Sequence, residues 1–453
     1  MKLILVTGAT GYIASRLIPQ LLDRGYAVRA LARNPQRLQS RSWSSKIDIV
    51  HADVMEAASL APALKDVHTA YYLVHNMSLG HGYTKLEIQA ARNFVLAAEE
   101  AGVQHIIYLG GLADDNQPIS PHLLSRIETG AALRQGKIPV TEFRASIIAG
   151  SGSISFEMIR FSTEFFSIIP ISSWMKNKSQ PIAIQNIMDY LLAALEKWDE
   201  AGSVLEIGGP EIIPYQDLLL RYAHIRGHKR SFLLLPYIPV GFMALGIGLI
   251  TPVPRRIARA LVGGLSHDSI VTHKNAHDTY PEVNLMDFEA ATKEALTHLH
   301  PLKIERVWES DFGSLLGRHS NHRIFKKTSE VSVNTLKHEG FFIDHRKIKV
   351  NAEPEKVFGV IKKLAARLGE QQVAVDTIEP DHLLLVRSQL KTPGQGWIEW
   401  RVGQIDNLTY LTQTAFFAPR GLAAFLFWLL LYPFRVIIFN RLIKSIARNS
   451  VVK

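Results

Sequence analysis

The residues with the clearest chemical purpose open the chain, where Leu3 to Ala14 reads LILVTGATGYIA. An apolar run enters a turn holding Gly8 and Gly11, and Leu17, Ile18, Leu21 and Leu22 then recur at helical spacing. Gly8 can take turn dihedrals that other residues resist, and Gly11 has no Cβ to keep a phosphate away from the amides that start the helix. Such a turn holds the pyrophosphate of a dinucleotide. A G-x-x-G pair alone says little; here a strand precedes it, a helix follows, and Gly25 to Leu31 supplies the next strand. The coenzyme follows from the charges beyond that strand. An NAD site places a carboxylate about 20 residues past the glycines for the ribose 2′-hydroxyl. This chain has no acidic residue between Asp23 and Asp48, whereas Arg29, Arg33 and Arg37 fall there. Arg33 stands where the strand should end, and a charge-assisted contact to a 2′-phosphate is worth about 1.5 to 3 kcal/mol, so NADP(H) is expected over NAD(H). Arg29 and Arg37 read as solvated surface charges.

The elements needed to position these groups alternate along the first 150 residues. Ile47 to His51 followed by Ala52-Asp53-Val54, Thr69 to His75, His105 to Leu109 and Val140 to Ala149 read as further strands; Tyr83 to Ala101 reads as a helix stopped by Gly102. The pattern is that of an α/β Rossmann domain with a doubly wound parallel sheet, whose strand ends gather Gly8, Arg33, Asp53, His75 and Gly110. Residues 151–310 turn to apolar helices, short strands and prolines, a substrate-covering lobe in which Pro181 to Trp198 and Val204 to Arg226 add strand–helix pairs to the sheet. The polar, basic stretch 311–339 reads as a linker, and 340–453 as a small α+β domain ending in a long apolar helix from Gly421.

Length and composition set the limits. A chain of 453 residues is too long for one core. With no cysteine, disulfides, thiolate nucleophiles and Cys-ligated metals are excluded. The absence of a cleavable apolar leader points to the cytoplasm. A net charge of +10 suits anionic partners, but the basic linker lacks interleaved aromatics, so no nucleic-acid partner is expected. His298-x-His300 and His319-x-x-His322 lack a carboxylate in register, so no metal is expected either.

TGATGYIA, the His51-Ala52-Asp53 tripeptide, YYLVHNM at Tyr71 to Met77, IIYLGGL at Ile106 to Leu112 and FRASIIAG at Phe143 to Gly150 together resemble an atypical or extended short-chain dehydrogenase/reductase. Trp397 to Val402, Gln413 to Phe416 and Ala418 to Leu422 resemble the DUF2867 domain that follows such a core in bacterial NAD(P)-binding proteins, a helix-grip fold of the START/SRPBCC type. The resemblance implies a coenzyme site drawing on Gly8, Thr10, Gly11, Tyr12, Ile13, Arg33, Asp53, Val54, Val74 and His75. Two departures bear on chemistry. Ala14 replaces the third glycine, a change that still permits close helix–strand packing. Gly110 and Gly111 stand where the family has its catalytic Ser, and His122-x-x-x-Arg126 where it has Tyr-x-x-x-Lys. His122 is then a candidate proton donor and Arg126 a candidate anion holder, with a structural role the alternative for both. The C-terminal domain also passes quickly from Leu368 to Asp376, which implies a reduced ligand cavity.

Two apolar stretches raise the question of a membrane. Phe232 to Pro254 is broken by Pro236, Pro239, Gly246 and Gly248 and reads as buried or interfacial. Gly421 to Asn440 contains one charge, Arg435, and is followed by Arg441, Lys444 and Arg448, with no acidic residue after Asp406. It reads either as an anchor on an anionic cytoplasmic membrane face or as the long helix of a helix-grip domain with Arg435 snorkelling. Two functions stay open: an NADP(H)-dependent reductase of an apolar carbonyl or quinone, and a non-catalytic NADP(H)-binding sensor or assembly factor of a membrane complex.

Overall fold

Runs of Val, Ile, Leu, Ala and Tyr build a seven-stranded parallel sheet in the computed structural model: β1 (Leu3–Val6), β2 (Ala27–Ala32), β3 (Asp48–His51), β4 (Thr69–Tyr72), β5 (His105–Gly111), β6 (Val140–Ala145) and β7 (Val204–Ile207). The structure describes residues 2–451 except 39–40, 76–82, 114–118, 198–200, 236–237, 252, 254, 304–330, 339–340, 370 and 406–407. The sheet order is β7-β6-β5-β4-β1-β2-β3. Successive strands therefore run one way from β1 to β3 and the other way from β4, which makes the β1/β4 boundary a topological switch point with a crevice at the strand ends. β4 and β5 are buried at every position, so they show continuous apolar runs rather than alternation.

Helices close both faces. α1 (Tyr12–Asp23) buries Ala14, Leu17, Ile18 and Leu21 beside Ile4, Val6 and Phe143, each large aliphatic side chain contributing about 1.5 to 3 kcal/mol. α2 (Ala57–Leu64) and α3 (Tyr83–Glu100) bury Leu60, Ala63, Phe94 and Ala98 on the opposite face with Leu5, Tyr72 and Ile106. α4 (Pro121–Leu133) follows β5.

Residues 1–159, 170–247 and 255–298 form one compact unit, and 160–169, 248–254 and 299–453 a second. Of the strand–helix pairs expected to extend the main sheet, Val204–Ile207 does so as β7. Ile182–Ala183 instead pairs with Ile148–Ala149 in a separate two-stranded sheet. The apolar stretch from Phe232 holds a short strand, Ser231–Leu234, and an 11-residue helix, Val240–Ile250, too short to cross a bilayer. Arg29 is not the solvated charge its surroundings in sequence suggest. Its Nε donates to Asp48 Oδ2 at 2.6 Å across the β2–β3 pair, and its guanidinium also donates to the carbonyls of Ala63 and Lys65 at the end of α2.

The second unit carries a six-stranded antiparallel sheet of β8 (Val331–His338), β9 (Phe341–Val350), β10 (Val373–Glu379), β11 (Leu383–Ser388), β12 (Gly394–Ile405) and β13 (Leu408–Pro419), in the order β8-β9-β13-β12-β11-β10. β8 corrects the expected linker 311–339, whose last residues pair in register with β9; Arg318, His319, His322, Arg323, Lys326 and Lys327 lie outside the described residues. α5 (Pro354–Leu368) and the C-terminal helix bury Val357, Phe358, Ile361, Ile443 and Ile446 against Trp400, Val386 and Leu411.

The long helix expected from Gly421 is two helices, α6 (Leu422–Leu430) and α7 (Tyr432–Val451), bent by 60°. Arg435 does not snorkel to solvent. It is 8% exposed, lies over the Trp428 ring at 3.5 Å, donates to Trp428 O at 2.7 Å and sits 3.8 Å from Asp344. Asp344 in turn receives two hydrogen bonds from the fully buried Arg346. Burial lowers the Arg435 pKa to about 10 against the opposing pull of Asp344, which leaves the guanidinium charged at neutral pH.

Candidate functional site

The end of β1 is tied to the end of β4 through Thr7. Its N–H and hydroxyl both donate to Tyr71 O, at 3.0 and 3.1 Å, and its Oγ1 accepts from Leu73 N–H at 2.9 Å. This clamp brings the next residue so close to β4 that only glycine fits: at Gly8, with φ +61, a Cβ would lie 2.5 Å from Leu73 O. The turn closes with Gly11 N–H donating to Gly8 O at 2.7 Å. Gly11 caps α1 without a side-chain hydrogen bond, and the first turn has no acidic residue. The helix start therefore offers its amides and its positive end to an anion. Thr10 and Ile13 are half-buried around this turn. The ring of Tyr12 is buried, with the Arg16 guanidinium over it at 4.0 Å, and a Cβ on Gly150 would meet its hydroxyl.

Arg33 is exposed and follows β2 directly. Beyond β3, Asp53 Oδ1 accepts from Met55 N–H at 3.0 Å and shapes the loop, while Val54 is buried. Asn93 of α3 fastens that loop by donating to the carbonyls of Val54 and Met55.

At the end of β4, Val74 packs against the core and His75 reaches the end of β5, its Nε2 lying 3.3 Å from Leu109 O. A carbonyl only accepts, so Nε2 carries the hydrogen and Nδ1 is left as an acceptor, buried and with no partner among the described residues. Burial, and then the nearby Arg126 charge, hold the His75 pKa well below its usual value, so the ring is neutral. Asn76 and Met77 of the YYLVHNM motif lie outside the described residues.

The glycines of β5 have a packing reason. A Cβ on Gly111 would lie 2.7 Å from Leu123 Cδ2 and 3.0 Å from Arg126 Cδ, so α4 rests where a catalytic Ser would project. Arg126 is half-buried, and its carbonyl accepts from Tyr108 OH at 2.9 Å. His122 sits 6% exposed at the start of α4, with Nδ1 3.0 Å from Ser120 Oγ; a Cβ on Gly264 would collide with its ring. Burial and Arg126 lower its pKa to about 3. A ring in that state is neutral at physiological pH, so a proton given by it would come from a neutral imidazole N–H and not from an imidazolium.

The fold thus gathers Gly8, Gly11, Arg33, Asp53, Val74, His75 and the Gly110–Gly111 pair at the strand ends of one sheet. Two residues went unrecognised in the sequence. Tyr108 packs against His75 with ring centroids 6.0 Å apart. Ser146 directly follows β6, and its Oγ is buried with no partner among the described residues. Its position after a strand of the sheet was the only available signal. Of the His-x-His pair, His300 lies 3.5 Å from Asp376 and packs edge-on to Trp397; the described residues contain no cluster of three His, Asp or Glu side chains able to hold a metal.

Residues 1–189 match the NmrA-like family. Among curated proteins, cinnamoyl-CoA reductase 1 of Oryza sativa subsp. japonica is 31% identical over 113 residues, 24% of this chain and 33% of that protein. Divinyl chlorophyllide a 8-vinyl-reductase of Cucumis sativus is 22% identical over 269 residues, 54% of this chain and 62% of its own length. Neither aligned stretch spans two thirds of the relative. Among solved structures, triphenylmethane reductase of Citrobacter sp. in complex with NADP(H) superposes with a TM-score of 0.52 at 20% identity, covering 64% of this chain and 99% of that one. An NADPH-dependent quinone oxidoreductase of Escherichia coli in complex with NADPH gives 0.52 at 20% identity, covering 65% and 99%. At these identities the likeness establishes the fold alone, a Rossmann-type parallel α/β sheet.

Proposed function

We propose that this chain, NmrA-like over residues 1–189, is an NADP(H)-dependent oxidoreductase acting on an apolar quinone or carbonyl. The observation that carries the reading is the Gly8 turn. A cradle that a single Cβ would fill lies at an uncapped, acid-free helix start, with exposed Arg33 beyond β2 in place of a carboxylate. Gly8, Gly11 and the first-turn amides, with Thr10, Tyr12 and Ile13, hold the pyrophosphate. Arg33 takes the 2′-phosphate, Asp53 and Val54 flank the adenosine half, and Val74 and His75 face the nicotinamide half. Bound NADPH supplies a hydride.

The remaining side chains favour an acceptor that needs little protein acid. With Gly111 covered by α4 and His122 neutral, neither a serine at 111 nor an imidazolium at 122 stands ready to protonate an alkoxide. A conjugated acceptor such as a quinone spreads the incoming electron pair over its own π-system, and Arg126 can stabilise the anion by charge. The NADPH-dependent quinone oxidoreductase and the triphenylmethane reductase that share this fold support a conjugated, apolar substrate. NADPH oxidation measured against a panel of quinones and aldehydes, beside coenzyme binding by calorimetry, tests the reading. Turnover with quinones is the expected result. Binding without any turnover would favour the second reading, a non-catalytic sensor or assembly factor, which the missing Ser and Tyr-x-x-x-Lys set supports.

In the second unit, the sheet order and the C-terminal helix packed across it support a helix-grip domain of the DUF2867 type. Exposed apolar side chains on α6 and α7, with basic residues beyond them, support a cytoplasmic protein held peripherally on an anionic membrane face.

A further inference from the structure

Resting on that peripheral reading, we infer that the bend between α6 and α7 is a wedge that enters one leaflet of an anionic bilayer without crossing it. Leu426, Leu430, Leu431, Phe434, Ile437 and Ile438 bracket the bend and are all exposed, Leu430 at 71% and Phe434 at 64%. Monomeric soluble proteins seldom leave so many large apolar side chains together in water. The outer face cannot be turned inward, because the inner face is already committed to the unit's own sheet. Trp428 stacks on Phe417 with centroids 5.2 Å apart, and Phe425 packs on Phe342 at 5.3 Å.

Charge decides the occupant. Between Arg420 and Arg441 the sequence has one charged residue, Arg435, and that residue is buried over Trp428 beside Asp344. The outer face of the bend is therefore free of charge along its length. Exposed Arg420, Arg441 and Arg448 stand at its two margins, and no acidic residue follows Asp406. An apolar apex bordered by cations matches the boundary between acyl chains and anionic headgroups. A second copy of the chain would bring the same cations against these. Among the described residues no single helix is long and apolar enough to cross a membrane. Together α6 and α7 have the length and composition of a bent span or re-entrant loop, but their inner face is already packed on the unit's own sheet, which leaves only the outer face for lipid.

The test uses the full chain and vesicles of phosphatidylcholine with and without phosphatidylglycerol. Wild type is expected to sediment with the anionic vesicles. The exposed-site variants Leu430→Glu and Phe434→Glu should lower partitioning at least tenfold while leaving NADPH binding unchanged. Because the chain has no cysteine, Phe434→Cys carries a single nitroxide label, which should become shielded from water below the headgroups, whereas a label at Arg448→Cys stays in water. Absence of any vesicle binding would overturn both the wedge and the peripheral reading. Vesicle binding that survives Leu430→Glu, with the label at 434 still in water, would overturn the wedge alone and leave a purely electrostatic contact. Burial of that label by self-association without lipid would also overturn it, in favour of a second copy.

Discussion

Replacing Gly8 by alanine tests the coenzyme site at its tightest point. Two costs follow from the geometry. At φ +61 an alanine pays the left-handed penalty of roughly 1 to 2 kcal/mol. Its Cβ would also sit 2.5 Å from the Leu73 carbonyl oxygen, a backbone atom pinned by the Thr7 clamp and unable to swing aside. An ordinary contact is about a full ångström longer, so the turn must lift away from β4 and carry the helix-start amides with it. Loss of about 2 to 3 kcal/mol of phosphate contacts corresponds to a roughly 30- to 150-fold weaker affinity for NADPH. Gly25→Ala is the control. Gly25 has φ +79 with nothing within 4 Å of where its Cβ would stand, so that variant bears the backbone penalty without the collision. Calorimetric titration with NADPH, alongside thermal unfolding, should show both variants folded and slightly destabilised, and only Gly8→Ala defective in binding. If folded Gly8→Ala binds NADPH within threefold of wild type, the cradle is not where the diphosphate lies.

Arg33→Ala should lower NADPH affinity about tenfold or more and leave NADH affinity unchanged, as read by parallel titrations. His122 has its pKa depressed in the fold from 6.5 to about 3. Its contribution to stability is complete above pH 6.5 and is lost as pH falls toward 3, by at most roughly 4 to 5 kcal/mol, so His122→Asn should flatten the acid limb of a stability–pH curve measured by urea unfolding. Asp344→Ala leaves Arg346 and Arg435 without their shared carboxylate and should cost the second unit about 3 to 5 kcal/mol in chemical denaturation. Ser146→Ala removes a buried hydroxyl that no described residue satisfies, so the ligand-free protein should gain up to about 1 to 3 kcal/mol, and a smaller stabilisation by bound ligand would mark Ser146 as part of the site.

The parallel sheet and its glycine turn are legible in the sequence because strands buried on both faces are largely apolar and because Gly8 answers to a backbone constraint visible in residue type. What escapes depends on neighbours distant in sequence. Arg29 looks solvated until β3 brings Asp48 beside it, 19 residues on. Val331–His338 reads VSVNTLKH, a polar alternation suited to a sheet edge and easily taken for a linker. Hydropathy marks the C-terminal run as apolar, but the break at Leu431 and the inward turn of Arg435 are set by the aromatic packing and by Asp344, some 90 residues upstream. Gly110 and Gly111 read as a missing Ser, whereas at Gly111 the space for that side chain is taken by the helix that lies on it.

That helix has a consequence for anyone wishing to install conventional dehydrogenase chemistry in this scaffold. Grafting a serine at 111 would set its side chain in space already held by Leu123 and Arg126 of α4. Engineering would therefore begin by trimming Leu123, so that a serine at 111 has room before the other reactive residues are altered.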